Sequence, residues 1–122
     1  RAVVVYDEEG RPTREERTEA EEILSVTVYQ YEGEALSVRR EETDAGIVEW
    51  RYSYGDDAEL REESLYRDGI PVKRISHPEP GRTVEERYRN GEPVLRIYFR
   101  DDRRVREEVI RNGRVIQERS YE

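Results

Sequence analysis

Turn signals recur every ten to thirteen residues along this 122-residue chain. From the middle onward they read Asp68-Gly69, Pro80-Gly81, Asn90-Gly91, Asp101-Asp102 and Asn112-Gly113. The segments between them are half charged and half β-branched or aromatic, with period-two patterning. Such spacing predicts a run of antiparallel hairpins. It constrains the architecture strongly and the activity hardly at all.

Copies of one unit follow the turns. Gly81-Arg-Thr-Val84-Glu-Glu86-Arg-Tyr88 is succeeded by Gly91-Glu-Pro-Val94-Leu-Arg96-Ile-Tyr98 and Asp102-Arg-Arg-Val105-Arg-Glu107-Glu-Val109. An aliphatic residue sits three after the turn, a charge five after, and Tyr or Val seven after. Asp57-Ala-Glu-Leu60-Arg-Glu62 fits the same scheme. The stretch from Gly10 to Gly33 has room for two units with a turn near Glu19–Glu21. A helix over Arg14–Leu24 is the rival reading there, since Glu, Arg and Ala favour helices, but the flanking units favour strands.

A two-residue loop fixes register. Around Asn90-Gly91, Tyr88 should face Pro93 and Glu85 should face Arg96. Around Asp101-Asp102, Arg96 should face Glu107 and Tyr98 should face Val105. The result would be a Glu85–Arg96–Glu107 ladder. Around Asp68-Gly69, Tyr66 should face Pro71 and Glu63 should face Arg74. The prolines of Gly10-Arg-Pro12, Gly69-Ile-Pro71 and Gly91-Glu-Pro93 cannot donate to a ladder, so each must take a non-bonded site or a bulge near a strand's start.

Composition limits the core. Charged residues make up 43%, against roughly 25% in an average globular protein. Leu, Ile, Val and Phe total 26 residues, near the roughly 20% level where disorder sets in. Nine Tyr and one Trp supply large buriable surfaces instead. The expected fold is therefore all-β: a single domain over residues 1–122, built as an antiparallel meander of ten or eleven short strands, extended or curled, with a thin core. The 21 Arg against the lone Lys73 suit a sheet covered in side-chain ladders, because guanidinium forks onto carboxylates and stacks on Tyr. Genome base composition would produce the same bias.

The net charge of −8 disfavours nucleic-acid or anionic-membrane partners. No apolar run approaches the length of a membrane helix, and no membrane insertion is expected. With no Cys, disulfides and thiolate metal sites are excluded. No Met occurs either, so the chain is expected to be an excerpt or processed product.

Tyr29-Gln-Tyr31-Glu-Gly33, Tyr6-Asp7-Glu-Glu-Gly10-Arg and Tyr88-Arg-Asn-Gly91-Glu-Pro-Val94 resemble the YD repeats and related MORN-like repeats of bacterial proteins. The resemblance covers most of the chain. It implies extended antiparallel sheets serving as scaffolds, shells or binding surfaces, in a periplasmic, cell-surface or secreted setting, with no catalysis by the repeats. Thr13 and Ser76 stand where the pattern expects apolar or aromatic residues, which favours an exposed sheet over a closed shell.

Candidate chemistry is sparse. His77, in Ser76-His-Pro78-Glu-Pro80-Gly, lacks the orienting acid and oxyanion donors of a Ser-His pair and reads as a turn residue in the longest loop. Asp56-Asp57 and Asp101-Asp102 lack the spaced ligands of a calcium loop and read as turn formers. Glu pairs recur in almost every strand, whereas a glycosidase uses its two carboxyls once, in a cleft. Neither metal nor cofactor is expected. The most aromatic strand is Val48-Glu-Trp50-Arg-Tyr52-Ser-Tyr54. Val48, Trp50, Tyr52 and Tyr54 should share one face, as local core or as a partner-binding stripe; deleting a buried Trp50 side chain would cost roughly 3–5 kcal/mol.

An open meander also leaves two edges. Ala2–Tyr6, with Val3, Val4 and Val5, is the least guarded and invites self-association; Arg114–Glu122 is charged. The leading functional expectation is a non-catalytic repeat scaffold or protein-interaction module of a larger bacterial assembly, pairing with a protein partner or neighbouring repeats. The alternative is a small-molecule or lipid carrier, with the meander closed into a barrel or half-barrel.

Overall fold

The computed structural model describes residues 1–121. Among the described residues it is all-β, with 77% in strands and no helix. The eleven strands are β1 (Ala2–Tyr6), β2 (Pro12–Glu19), β3 (Glu22–Glu32), β4 (Ala35–Thr43), β5 (Gly46–Tyr54), β6 (Leu60–Arg67), β7 (Ile70–Glu79), β8 (Arg82–Arg89), β9 (Glu92–Arg100), β10 (Arg103–Arg111) and β11 (Arg114–Ser120). They form one antiparallel sheet in sequence order. The sheet is open: it does not close into a barrel. The rival helix over Arg14–Leu24 is strand, turning at Ala20-Glu21.

Left-handed loops set the hairpins. Both loop residues have positive φ in Asp68-Gly69 (50° and 81°), Asn90-Gly91 (53° and 81°) and Asn112-Gly113 (53° and 76°). This backbone twist matches that of the flanking strands. Adjacent loops on one side of the sheet also touch. The Asp68 carboxylate accepts the Ile47 N–H at 2.8 Å, and the Asp68 N–H donates to Ile47 O at 2.8 Å. Gly46, at φ 129°, is small enough to admit that carboxylate, since a Cβ there would lie 2.7 Å from Asp68 Oδ1.

Nine of the ten hairpins contain a register shift; only β4–β5 runs without one. In β8–β9, Arg89 faces Glu92 and Tyr88 faces Pro93, as the loop dictates. Arg87 then faces Leu95, leaving Val94 as the extra residue. Val72 is skipped in the same way in β6–β7, and Val105 in β9–β10. The aliphatic residue three after the turn is thus the bulge. The prolines fit just before it. Tyr6 faces Pro12, Tyr66 faces Pro71 and Tyr88 faces Pro93, each at the wide pair next to the loop pair, where no N–H is called for.

The bulge overturns the expected charge pairing. Arg96 faces Glu86 and Glu108, not Glu85 and Glu107; Tyr98 faces Arg106, not Val105; and Arg74 faces Ser64, not Glu63. One extra residue moves every later side chain one step along its partner strand. A second correction concerns His77, which lies inside β7 at a register shift rather than in a loop. The loop that follows β7 is only Pro80-Gly81.

The core is as thin as composition allows. Among the described residues, the buried apolar side chains are Ile97 (1% exposed) and Ile110 (5%). A single layer has no second sheet to pack on. Cross-strand pairs and the backbone ladder therefore carry much of the cohesion.

Candidate functional site

The most organised side-chain array runs across the C-terminal strands. Glu86 on β8 is 7% exposed and Glu108 on β10 is 4% exposed, and Arg96 on β9 lies between them. Arg96 Nη2 and Nε reach Glu86 Oε2 at 2.8 and 3.1 Å, and Arg96 Nη1 reaches Glu108 Oε1 at 3.2 Å. Arg74 on β7 donates to Glu86 Oε1 at 3.2 Å and lies 3.9 Å from Glu62 on β6. At the other end Arg106 Nη2 donates to Glu108 Oε2 at 2.6 Å, and its Nε lies 3.1 Å from Glu118 on β11. Six strands are thereby joined through alternating charges.

Tyrosines two residues along share the same face and complete the carboxylate shells. Tyr88 donates to Glu86, and Tyr98 donates to Glu108 at 2.8 Å. Arg106 also stacks over the Tyr98 ring at 5.1 Å. Burial pushes the Glu86 carboxyl up, but the Tyr88 hydroxyl, the Arg96 hydrogen bonds and the charges of Arg74 and Arg96 outweigh it and hold the group below the usual carboxylate range. Glu108 is held low in the same way by Tyr98, Arg106 and Arg96 against its own burial. Burial, then the bond to Glu86, raises Tyr88 to about 12. Every one of these groups stays locked in its ordinary charge state, the opposite of what proton transfer near neutrality requires.

The aromatic stripe on β5 is placed differently. Val48, Trp50, Tyr52 and Tyr54 alternate along one strand and so share a face. Their cross-strand neighbours are mixed: Val48 lies between Glu41 and Arg67, Trp50 between Arg39 and Leu65, and Tyr52 beside Glu63. Trp50 and Tyr52 are half-buried and Tyr54 is exposed. Tyr54 donates to Leu36 O at 2.9 Å. Burial raises the Tyr52 phenol above its ordinary value. Tyr52 and Tyr54 line an open depression of about 520 Å³ together with Glu32, Glu34 and Asp56. On the opposite face, Arg51 stacks over Tyr66 at 4.4 Å, and an open groove of about 430 Å³ runs between Val26, Val28, Val38 and the charged Arg40, Glu49 and Arg51.

The edge candidates Val3, Val4 and Val5 lie on β1, which pairs only with β2. The opposite edge, β11, is exposed along its whole length, and residue 122 of that candidate edge lies outside the described residues. His77 has Thr83 Oγ1 at 3.5 Å from Nδ1 and Glu63 at 3.7 Å from Nε2. Asp57 turns inward to accept the Glu59 N–H at 3.1 Å and meets Arg61 at 3.3 Å.

The sequence did contain a signal for the buried ladder. Glu86-x-Tyr88 and Arg96-x-Tyr98 put an ion and a phenol on one face of neighbouring strands. The missing step was the bulge that makes Glu86 and Glu108, rather than Glu85 and Glu107, the partners of Arg96.

No protein-family model matches the chain, and neither a curated protein nor a solved structure matches it.

Proposed function

We propose that this chain is a non-catalytic repeat scaffold and protein-interaction module of a larger bacterial assembly, of the YD or MORN-like kind its motifs resemble. The observation that supports this reading is the open eleven-stranded sheet itself, in which each strand pairs only with its neighbours in sequence. Such an array grows by adding hairpins and has no centre where a unique active site is assembled. Its contact surfaces are the β1 edge and the β5 stripe of Val48, Trp50, Tyr52 and Tyr54. The periplasmic, cell-surface or secreted setting rests on the resemblance alone. The alternative, a small-molecule or lipid carrier with the meander closed into a barrel or half-barrel, is less well supported, because the sheet is open and its best-ordered side-chain array is charged rather than apolar.

Removal of a repeat tests the scaffold. Tyr66-Arg-Asp-Gly69-Ile-Pro71-Val72 and Tyr88-Arg-Asn-Gly91-Glu-Pro93-Val94 stand 22 residues apart with β7 and β8 between them. Deleting residues 68–89 joins Arg67 to Asn90 and restores the same turn. The expected product is a shorter folded sheet with an unchanged β-type circular dichroism per residue and a cooperative melt. A chain that fails to fold after this deletion would show that the strands form one indivisible unit, contrary to a repeat scaffold.

A further inference from the structure

We infer that a groove on β8 and β9, beside the β7–β8 loop, binds an acidic segment of a partner protein. Arg82 and Arg100 take a carboxylate of that segment, and the groove takes an aliphatic side chain two residues along. The site rests on the reading of this chain as a protein-interaction module and gives it a third contact surface with a stated chemistry.

Charges alternate across this face of the C-terminal strands until one rim. Arg96 lies between Glu86 and Glu108. Further along β9, Arg100 lies directly opposite Arg82 on β8 and Arg103 on β10. Like charges in register repel. Arg82 meets Glu79 at 3.4 Å, in a pair whose two side chains are both exposed. Arg100 has no ion-pair partner among the described residues. Asp101, the next acid along, sits against Gly81: its N–H donates to Gly81 O at 2.8 Å, and a Cβ on Gly81 would lie 2.8 Å from its Oδ1. Neither Asp101 nor Asp102 pairs with the arginine row among the described residues. Both β8 and β9 are interior strands, so the site owes nothing to either end of the chain.

The row borders an apolar groove. Pro78, Val84, Tyr98 and Val105 line an open volume of about 290 Å³ together with Arg82 and Arg100. Val84 faces Tyr98 two residues in from the Arg82–Arg100 pair, so these four side chains share one face. An extended peptide repeats at the same interval. A Glu-x-Leu sequence laid along the strands therefore sets its carboxylate over the two guanidinium groups, which fork onto it, and its isobutyl group in the groove.

Shape and charge select a peptide. Small-molecule sites enclose about 300–1,000 Å³ and bury most of their ligand, whereas this groove lies open on a single-layer sheet. A protein segment gains contacts along the sheet beyond the groove that a small amphiphile lacks. The net charge of −8 repels acidic chains in general, so an acidic partner is held by the local row and not by the field of the whole molecule.

Titration of the isotope-labelled 122-residue chain with the peptide acetyl-Glu-Glu-Ser-Leu-Ser-amide, followed through amide chemical shifts, is the test. Shifts should concentrate on Val84, Tyr98, Phe99 and Arg100 at millimolar peptide or below. Peptides with Gln for both Glu, or Ser for Leu, should each bind at least about fivefold more weakly. Arg100→Gln should weaken binding at least about tenfold and, by relieving a like-charge contact, should not lower the melting temperature. Arg67→Gln, at an exposed arginine on the opposite rim, should leave binding unchanged. Glu79→Gln releases Arg82 and should tighten binding about twofold or more. No binding at millimolar peptide, equal losses in Arg100→Gln and Arg67→Gln, indifference to the Leu side chain, or weaker binding in Glu79→Gln would overturn the inference. So would octanoate or inorganic phosphate shifting the same amides as tightly as the peptide, which would make this a small-anion site. None of these outcomes bears on the repeat-deletion test, so the scaffold reading stands or falls separately.

Discussion

Arg96 and Glu86 meet side-on across β8 and β9: two guanidinium nitrogens converge on one carboxylate oxygen, at 2.8 and 3.1 Å. Glu86 is almost fully buried although the sheet is a single layer, because Arg74, Arg96 and Tyr88 cover its carboxylate. Long charged side chains here do the covering that a second apolar layer does elsewhere. The charged 43% of the chain is then compatible with a fixed fold rather than disorder.

Glu86→Ala should be among the most damaging single changes. It leaves Arg74 and Arg96 facing a hole, and breaking a buried pair from one side costs roughly 3–5 kcal/mol. Because Arg96 retains access to water and to Glu108, the loss should sit at the lower end, about 3 kcal/mol. Urea denaturation is the measurement. Glu85→Ala, one residue away on the other face, should cost clearly less, and equal losses would contradict the register described above.

The hairpin order was legible because Gly, Asn and Asp at loop positions are dictated by backbone sterics, which are local. The Tyr66–Pro71 and Tyr88–Pro93 pairs were legible for the same reason, lying one step from the loop. Arg96 meets glutamates one step away from those the loop register implies, because Val94 and Val105 look like ordinary in-phase strand residues. A bulge of this type requires no glycine, so nothing in the residue type marks it. His77 lies in a strand although Pro78 and Pro80 suggest a long loop, because an irregular strand end accommodates Pro78. Whether the sheet closes depends on twist accumulated over all eleven strands, and no local motif encodes that sum.

The Ala20-Glu21 loop holds two non-glycine residues at φ 50° and 68°. Left-handed backbone costs such residues about 1–2 kcal/mol each, a cost that Asn-Gly largely avoids. The Ala20→Asn/Glu21→Gly double variant should therefore gain about 0.5–1.5 kcal/mol, read as a higher denaturation midpoint at constant slope. A lower midpoint would mean that the Glu21 side chain contributes more than its backbone strain removes.

Trp50→Ala should destabilise by about 2–3 kcal/mol, less than the roughly 3–5 kcal/mol of a fully enclosed aromatic. The reason is that Trp50 is half-buried and has Arg39 and Leu65 as cross-strand neighbours rather than a second sheet. A thermal melt superimposable on the parent's would place the indole outside the packing and leave the stripe as a partner surface alone.

Stability should be flat near neutrality and fall on both sides, for separate reasons. Glu86 and Glu108 are held below their unfolded values. Their contribution is present above the ordinary carboxylate value of about 4.3 and is lost as pH falls through the depressed folded values. Tyr88, raised to about 12, works in the opposite sense. The folded state keeps a proton that the unfolded chain releases near pH 10, so its contribution is complete below about pH 10 and is lost as pH rises toward 12. Denaturation free energies measured from pH 3 to 12 should trace both limbs. Glu86→Gln should shallow the acid limb and, by removing the charge beside Tyr88, weaken the alkaline limb as well. Tyr88→Phe should remove the tyrosine's share of the alkaline limb and, by removing a hydrogen bond to Glu86, shallow the acid limb in part. An acid limb unchanged in Glu86→Gln would mean that other carboxylates govern acid unfolding and that the buried ladder is not what titrates.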